Sequence, residues 1–515
     1  MKKLFLISTA VLGLTVVHGQ TTFQKTYGGS GNENCYSIIQ TTDGGYALCG
    51  FTSSFGFGNV DIYILKIDGS ANLQWSKTIG GTGEDKGFSI IQTNDNGYAI
   101  SGLTNSYGAG SYDVYIIKLD SGGNLQWAKV IGTNFNDQGY KIIQTNDGGY
   151  MVGGFTGGGC CVYLFKLDNA GILQWSTSVQ GGYGFSMTET SDGGFALGGY
   201  TGSFGAGNFD MYLVKFNSSG NLQWTKTIGG IANDFANSII QTKDNGYALC
   251  GYSYSFGSGS ADVYVSVLDS IGNLQWTKTV GGTNDDEGNS IIQLNDSGFV
   301  VTGFTSSYGA GNDDIYNMKF DKSGNLLWTN IVGGSFGDKG NSIAPTSDNG
   351  FVVGGYSYSF GMGGEEIYVL KFDSNGSICG NSNIGGSVNS GGTVSNGGSI
   401  FSLTTSVDSG GSVSSGGTVT NVCIFVSANE IYNQDKFFIS PNPFCTQTTL
   451  QTDHPFHNAT LTVDNCFGQT VKQIKNVSGQ TVTLSRDDLP SGLYFIRLAE
   501  ENKIIAADKL VITDK

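Results

Sequence analysis

An internal repeat is the feature that most constrains what this chain can fold into. Each copy contains four short apolar runs, which read SIIQ, YALCGFT, DIYILKI and LQWSKTI in the first copy. Gly- and Asp-rich turns separate them, so each copy predicts four antiparallel strands. The tryptophans of the last run lie 52, 48, 49, 52 and 52 residues apart. They are Trp75, Trp127, Trp175, Trp224, Trp276 and Trp328.

The repeats predict an all-β fold, a seven-bladed β-propeller over residues 20–379. An open stack of such units would leave long unpaired strand edges, whereas a closed ring does not. Counted from the SIIQ run, the seventh copy lacks its tryptophan strand, and a stray copy of that strand stands at residues 23–29 with Phe23 in the tryptophan position. We therefore expect the N-terminal strand to complete the last blade. The units resemble WD40 and kelch repeats in architecture only, which implies a fold and no activity.

The distribution of charge excludes several kinds of site. The chain has 26 basic and 42 acidic residues, a formal net charge of −16, which disfavours nucleic acid and anionic membranes as partners. Its arginines are Arg486 and Arg497, and its histidines are His18, His454 and His457. The repeats therefore contain no Ser-His-Asp site, no His-ligated zinc and no arginine clamp. We expect the propeller not to be an enzyme.

Two sets of acidic residues follow the repeat, in loops expected on one rim. The first set, absent from unit four, consists of Glu33, Asp85, Asp137, Asp234, Asp286 and Asp338. The second set, with Cys161 in its place in unit three, consists of Asp61, Asp113, Asp210, Asp262, Asp314 and Glu366. Such rings could bind Ca²⁺ or a cationic ligand, but a turn-capping role explains a repeated acid more simply. No cofactor is required, and calcium stays an alternative.

One aromatic residue per loop accompanies the second set. These residues are Phe55, Tyr107, Phe204, Phe256, Tyr308 and Phe360. Packing between blades is the commoner role for such rings, and stacking on sugars is the alternative. Units three and four each have one shortened loop, so we expect a notch in the rim there, where a ligand could approach.

The remaining segments have distinct compositions. Residues 1–19 read as a signal peptide, with Lys2 and Lys3 before an apolar run, and no later run is long enough for a transmembrane helix. Residues 380–435 are rich in Ser, Gly and Thr and predict a linker or a small β element. The pairs Cys379 with Cys423 and Cys445 with Cys466 are either disulfides or buried thiols.

The phrases SPNPF, LTVDNCFGQTV, LPSGLY and KLV follow one another within residues 436–515. In these phrases and in their order, the segment resembles the type A C-terminal sorting domain of the type IX secretion system of Bacteroidetes. Cys466-Phe467 depart from the family pattern, in which an acidic residue precedes the middle glycine. The matching motif residues are Pro441, Asn442, Pro443, Gly468, Leu489, Pro490, Gly492, Tyr494 and Lys509.

This resemblance implies a small immunoglobulin-like sandwich that is read by an outer-membrane translocon. It also implies removal by a sortase-like peptidase, with delivery through the periplasm to the outer-membrane surface or the medium. The expected function is a non-catalytic binding or adhesion scaffold for a glycan or protein. The alternatives are a carboxylate-dependent hydrolase of the glycosidase kind and a purely structural surface protein.

Overall fold

The structure, a computed structural model, contains only β elements in the residues it describes. The predicted signal peptide lies outside these residues, and no helix within them could cross a membrane. One compact unit is Phe23–Cys423, and the other comprises Met1–Thr22 and Ile424–Lys515. The described residues are 21–157, 161–361, 364–378, 387–389, 393–395, 399–401, 406–408, 412–414, 418–426, 437–465, 470–500 and 503–514.

Seven four-stranded antiparallel sheets, here called blades one to seven, make up most of the first unit. Strand β1 is Thr21–Gly28, and it belongs to the last blade. Blade one consists of β2 (Glu33–Gln40), β3 (Tyr46–Thr52), β4 (Asp61–Ile67) and β5 (Leu73–Gly80). Blade two consists of β6 (Asp85–Gln92), β7 (Tyr98–Thr104), β8 (Asp113–Leu119) and β9 (Leu125–Gly132). Blade three consists of β10 (Asp137–Gln144), β11 (Tyr150–Thr156), β12 (Cys161–Leu167) and β13 (Leu173–Gln180). Blade four consists of β14 (Tyr183–Glu189), β15 (Phe195–Thr201), β16 (Asp210–Phe216) and β17 (Leu222–Gly229), and blade five of β18 (Asp234–Gln241), β19 (Tyr247–Ser253), β20 (Asp262–Leu268) and β21 (Leu274–Gly281). Blade six consists of β22 (Asp286–Gln293), β23 (Phe299–Thr305), β24 (Asp314–Phe320) and β25 (Leu326–Val332). Blade seven consists of β26 (Asp338–Pro345), β27 (Phe351–Ser357), β28 (Glu366–Phe372) and β1.

The seven blades form a closed ring, and the first strand of each blade lies on the inner side of the ring. Each first strand contacts the first strands of both neighbouring blades, and β26 of blade seven contacts β2 of blade one. The backbone N–H of Ile38 donates to Ser342 Oγ (3.2 Å) across that last junction, as the N–H of Ile90 donates to Ser37 Oγ (3.3 Å) between blades one and two. This cyclic arrangement is that of a β-propeller.

The N-terminal strand completes blade seven, as the sequence predicted. Strand β1 pairs antiparallel with β28 and places Phe23 opposite Lys371, the register that Trp75 and Lys66 have in blade one. The Phe23 ring meets Tyr46 of blade one edge-on at 5.9 Å. The strand therefore fills both the backbone and the side-chain positions that the seventh repeat lacks.

The segment at 380–435, predicted as a linker or a small β element, contributes strands to the propeller. Six strands within it, which we call the belt, pair with outer strands of six blades in the reverse of blade order. The second residue of each strand is β-branched, and these residues lie 6, 6, 7, 6 and 6 residues apart in the sequence. The belt strands are β29 (Ser387–Asn389) on β21, β30 (Thr393–Ser395) on β17, β31 (Ser399–Phe401) on β13, β32 (Ser406–Asp408) on β9, β33 (Ser412–Ser414) on β5 and β34 (Thr418–Val426) on β1.

The C-terminal unit is a five-stranded antiparallel sheet with a hydrophobic core of its own. Its core includes Leu450, Leu461, Ile496 and Leu510, all buried. The immunoglobulin-like arrangement of these strands stays a prediction. The strands are β35 (Phe437–Ser440), β36 (Gln447–Asn465), β37 (Thr470–Ser485), β38 (Gly492–Glu500) and β39 (Lys503–Ile512), in the order β35-β36-β38-β39 with β37 paired to β36.

Replacing Phe23 with Ala should destabilise the ring at its closing blade. Phe23 is 0% exposed, and the loss of a buried phenylalanine ring costs about 3–5 kcal/mol of unfolding free energy. Denaturant unfolding measures the loss. The control is Phe57→Ala, at a ring that is 65% exposed. Equal losses in the two variants would contradict the closing role of β1.

Candidate ligand-binding site at the axis of the propeller

The first set of acidic residues lies inside the protein, where it caps loops. All six side chains are 0% exposed. Asp85 Oδ2 accepts the backbone N–H of Gly81 (2.8 Å) and the hydroxyl of Ser106 (2.6 Å). The five other acids likewise accept a backbone N–H from four residues before: Glu33 from Gly29, Asp137 from Thr133, Asp234 from Gly230, Asp286 from Gly282 and Asp338 from Gly334. These contacts support the capping interpretation.

The second set also caps loops, and it pairs with the first set across the junctions between blades. A Cβ on Gly80 would lie 2.0 Å from Asp61 Oδ1 of blade one and 2.7 Å from Asp85 Oδ2 of blade two. Asp61 Oδ2 accepts the backbone N–H groups of Phe57 and Gly58. The six pairs are Asp61 with Asp85, Asp113 with Asp137, Asp210 with Asp234, Asp262 with Asp286, Asp314 with Asp338, and Glu366 with Glu33.

The junction between blades three and four lacks both members of the pair. Cys161 takes the second-set position with a buried thiol, and Tyr183 begins the first strand of blade four where other blades have the acid. The two sets are therefore lost together. Within the described residues, no group of three or more His, Cys, Asp or Glu side chains is placed to hold a metal ion.

The aromatic residue in each loop packs inward against its own blade. Phe55 lies 5.7 Å from the buried ring of Tyr63, and Tyr107 lies 5.9 Å from Tyr115 and donates its hydroxyl to Gly80 O (3.2 Å). Phe204, Phe256, Tyr308 and Phe360 repeat the contact with Tyr212, Tyr264, Tyr316 and Tyr368. These partly buried rings join the cores of the blades, as expected for packing.

A second group of rings, which the sequence prediction missed, lies around the axis. We call it the aromatic arc. Its seven half-buried rings pass from blade one to blade five in an unbroken series, with centroids 4.8–5.4 Å apart. The rings are Tyr36, Phe88, Tyr140, Phe185, Tyr200, Phe235 and Tyr252.

The arc passes the junction where the acid pair is missing. At blades three and four, Phe155 and Tyr183 add to the series at 5.2 Å, and Tyr183 stacks on Tyr200 at 4.8 Å. The notch expected from the shortened loops of units three and four stays a prediction, because the unit-three loop is described only up to residue 157 and again from residue 161.

Polar and charged side chains complete the axis in blades five to seven. Asn237, Asn289 and Asn341 stand where blades one to four have a ring, and they hydrogen-bond from blade to blade; Asn289 Nδ2, for example, donates to Gly340 O (3.0 Å). Four carboxylates lie near the starts of first strands: Asp285 and Glu287 at β22, and Asp313 and Glu365, whose backbone carbonyls accept N–H groups from the first strand of the following blade. We call these four residues the acidic arc.

A comparison of the seven copies with one another would have revealed this site. The first, fifth and sixth positions of the first strand are nearly the same in every copy, and they serve the fold. The second and fourth positions vary. The second position reads Asn34, Lys86, Gln138, Phe235, Glu287 and Lys339 in the six full-length strands. A position that differs among copies under one geometric constraint is free to serve a ligand.

The sorting-motif residues hold the C-terminal unit together. Asn442 donates to Lys509 O (2.8 Å) and accepts the N–H of Val511 (2.8 Å), and this fixes the opening loop to the last strand. Thr448 donates to Pro441 O (2.6 Å), and the Tyr494 hydroxyl donates to Pro490 O (2.8 Å). Leu489 is half-buried in the core, Pro443 is exposed beside Asn442, and Gly492 begins β38. Gly468 lies outside the described residues.

Comparisons with known proteins identify the C-terminal unit. Residues 439–513 match the family model of the secretion system C-terminal sorting domain. The domain directs the chain through the type IX system to the cell surface or the extracellular space, and it implies contact with that machinery. No curated protein matches the sequence.

Two solved structures are similar to most of the chain. One is a protein of unknown function from Dyadobacter fermentans DSM 18053, at 11% identity and a TM-score of 0.38, covering 69% of this chain and 99% of that one. The other is Sqt1 from Chaetomium thermophilum, at 12% identity and a TM-score of 0.41, covering 69% of this chain and 100% of that one. Scores this low carry no argument about function.

The acid pairs should make stability depend on pH. Burial raises the pKa of Asp262 from 3.8 to about 6, and Asp286 adds to the rise. A carboxyl whose pKa is raised on folding stabilises the protein while protonated, so this contribution is lost as pH rises through about 6. In the native protein this lowers the free energy of unfolding by at most about 3 kcal/mol between about pH 4 and pH 6. Asp262→Asn should not show this decrease when its free energy of unfolding is measured over the same pH range.

The matched control is Asp120→Asn, at an exposed turn. Hydrogen bonds from Asn124 lower the pKa of Asp120, so its contribution is present above the ordinary carboxyl pKa and is lost as pH falls. The two variants should therefore diverge from the native protein in opposite directions as pH rises. Parallel pH profiles for the native protein and Asp262→Asn would contradict the pKa of this pair.

Proposed function

We propose that this exported protein is a non-catalytic binding module and that its propeller holds a glycan against the aromatic arc. The observation that carries the proposal is the unbroken series of seven half-buried rings at the axis. Ligand sites on proteins are typically concave and rich in aromatic side chains, with a few polar groups that fix orientation. The arc has both components, since asparagines and carboxylates complete the ring of side chains.

The rings of the arc keep part of their surface exposed and form one continuous series from blade to blade. Tyr63 and Tyr115, in the cores of blades one and two, are fully buried. Tyr254 and Tyr358 at the edge of the same axis are 44% exposed. Flat apolar faces with water beside them suit the faces of sugar rings, which carry C–H groups on one side and hydroxyls at the rim.

The position of the acids argues against the hydrolase alternative. A glycosidase needs two carboxyl groups that flank the substrate. The paired acids of the two sets are 0–2% exposed and already accept loop N–H groups, so a substrate does not reach them. The proposal therefore includes neither catalysis nor a cofactor. Calcium at the acid pairs is tested by repeating each binding measurement with a chelator.

The proposal assigns the two units different partners. The sorting domain serves the translocon and, by its family, a sortase-like peptidase, whereas the propeller meets a glycan or a glycosylated surface. Adhesion of the producing cell to such a surface would follow if the protein is anchored after export. A protein with only a structural role would have no use for rings at variable positions of the axis.

Binding should depend on the arc and not on exposed aromatic residues elsewhere. Phe235→Leu keeps an apolar side chain but removes the ring, and stacking of a ring is worth about 0.5–1.5 kcal/mol, or roughly threefold to tenfold in affinity. Phe57→Leu makes the same change at an exposed loop ring and should leave affinity unchanged. A glycan array followed by calorimetry gives both values. Equal affinities for the native protein and Phe235→Leu would refute the site.

Export should require the C-terminal unit. In a bacterium with a type IX system, deletion of 436–515 should leave the protein in the periplasm, because the translocon then has no sorting domain to read. Cell fractionation and surface labelling locate the protein. In the reciprocal control, 436–515 fused to a periplasmic reporter should carry it to the surface. Normal delivery of the truncated chain would contradict this role.

A further inference from the structure

The axis of the propeller divides into two halves of different chemistry. The aromatic arc occupies blades one to five, and the acidic arc lies in blades six and seven. Tyr254 joins the halves: its ring meets Tyr252 of the aromatic arc at 6.0 Å, and the carboxylates of Asp285 and Glu287 add to the rise that burial causes in its pKa. A ligand on the aromatic arc would therefore meet carboxylates at its end.

Glu287 is the member of the acidic arc that lies within a first strand. It occupies the second position of β22, where the next blade has Lys339 and the preceding blade has Phe235 of the aromatic arc. Burial raises the pKa of Glu287 to about 7; Lys339 opposes the rise, and Asp285 and Asp313 add to it. In the acidic arc, four carboxyl groups stand against one lysine, Lys339, which pairs with Asp313.

Two lysines at the second positions of first strands, Lys339 of blade seven and Lys86 of blade two, are already engaged. Lys339 Nζ lies 3.1 Å from Asp313 Oδ2, and Lys86 pairs with Glu84. Each ammonium group also lies over an aromatic face: Lys339 at 3.4 Å from the Phe304 centroid, and Lys86 at 5.0 Å from that of Phe51. The axis therefore already accommodates cations between rings and carboxylates, the arrangement that recognises ammonium ligands.

We infer that the ligand is a cationic glycan, a polysaccharide or oligosaccharide with free or alkylated amino groups, whose sugar rings lie on the aromatic arc and whose ammonium groups face the acidic arc. This inference rests on the proposed glycan-binding function and names the substrate class. Charge complementarity selects this ligand over a neutral glycan, which makes no ion contact with the carboxylates, and over an anionic glycan, because like charges at a contact cost several kcal/mol.

The inference is tested by calorimetry on the full mature chain with two oligomers of the same sugar that differ in the substituent and charge of the amino group. One is an oligomer of N-acetylglucosamine, which is neutral, and the other is the same oligomer with each amine deacetylated and trimethylated, which has a fixed positive charge. The cationic oligomer should bind about tenfold tighter, the effect of one partly exposed ion contact plus ring contact. Equal or tighter binding of the neutral oligomer would overturn the inference.

Two variants locate the charge effect, and a third provides the control. Glu287→Gln keeps the volume of the side chain and should remove most of the preference for the cationic oligomer, whereas Lys339→Gln should increase it. Glu189→Gln makes the same change at the last position of β14, at the far end of a first strand, where five of the six other blades have glutamine. It should leave the preference unchanged. An equal loss in Glu287→Gln and Glu189→Gln would overturn the assignment.

The remaining outcomes separate this inference from the proposed function. If the neutral oligomer binds best and Phe235→Leu weakens it, glycan binding stands and the cationic assignment fails. If neither oligomer binds, both fail. Oligolysine of matched charge is the peptide arm. Binding of oligolysine as tight as that of the cationic oligomer, with no effect of Phe235→Leu, would overturn the glycan class.

Discussion

The structure depends on covering the edge strands of its seven sheets. A four-stranded sheet alone exposes two edges of unpaired N–H and C=O groups, and such edges recruit other chains. The ring does not pair blades edge to edge; instead it buries their first strands around the axis. Strand β1 covers β28 of the last blade, and the belt strands cover the outer edges of six blades. The N-terminal strand, the repeats and the belt, which are distant from one another in the sequence, thereby act together to cover these edges.

The seven copies separate residues that build the fold from residues available to a ligand. Ser37, Ser89, Ser186, Ser238, Ser290 and Ser342 each accept a backbone N–H from the next blade, and the acid pairs cap loops at six junctions. Blade three departs from this pattern with Lys141, whose pKa is lowered by burial among the first strands. The departures cluster at the axis, and we place the ligand there.

Much of the fold could be predicted from the sequence because it is local and repeated. Four apolar runs per copy define the strands, and the misplaced copy at Phe23 identifies the closing strand without any knowledge of distance. The belt could not be predicted in this way, because its short Ser/Thr-rich strands resemble a linker and acquire partners only from blades hundreds of residues away. In β33, for example, Ser412 lies opposite Gly80.

The candidate site was harder to predict for a related reason. Repeated acids such as Asp85 attract attention in a sequence because they recur, yet recurrence here reflects a common loop geometry. Tyr36 is the fourth residue of its strand and Phe235 is the second residue of its strand. The two rings are linked only by the other rings of the aromatic arc, which lie between them around the propeller. Their relationship is a property of closure, and it becomes visible when copies are compared position by position.

The belt has a consequence for how such a protein can change over evolutionary time. Each of its strands crosses to the next blade after six or seven residues, in the reverse of blade order. A gene duplication that added one blade would leave the belt one step short, and the loss of a blade would leave it one step long. The number of blades is thus encoded twice in one chain. Recombination between near-identical repeats readily changes copy number in other arrays. Here it is disfavoured unless the number of belt strands changes together with the number of blades.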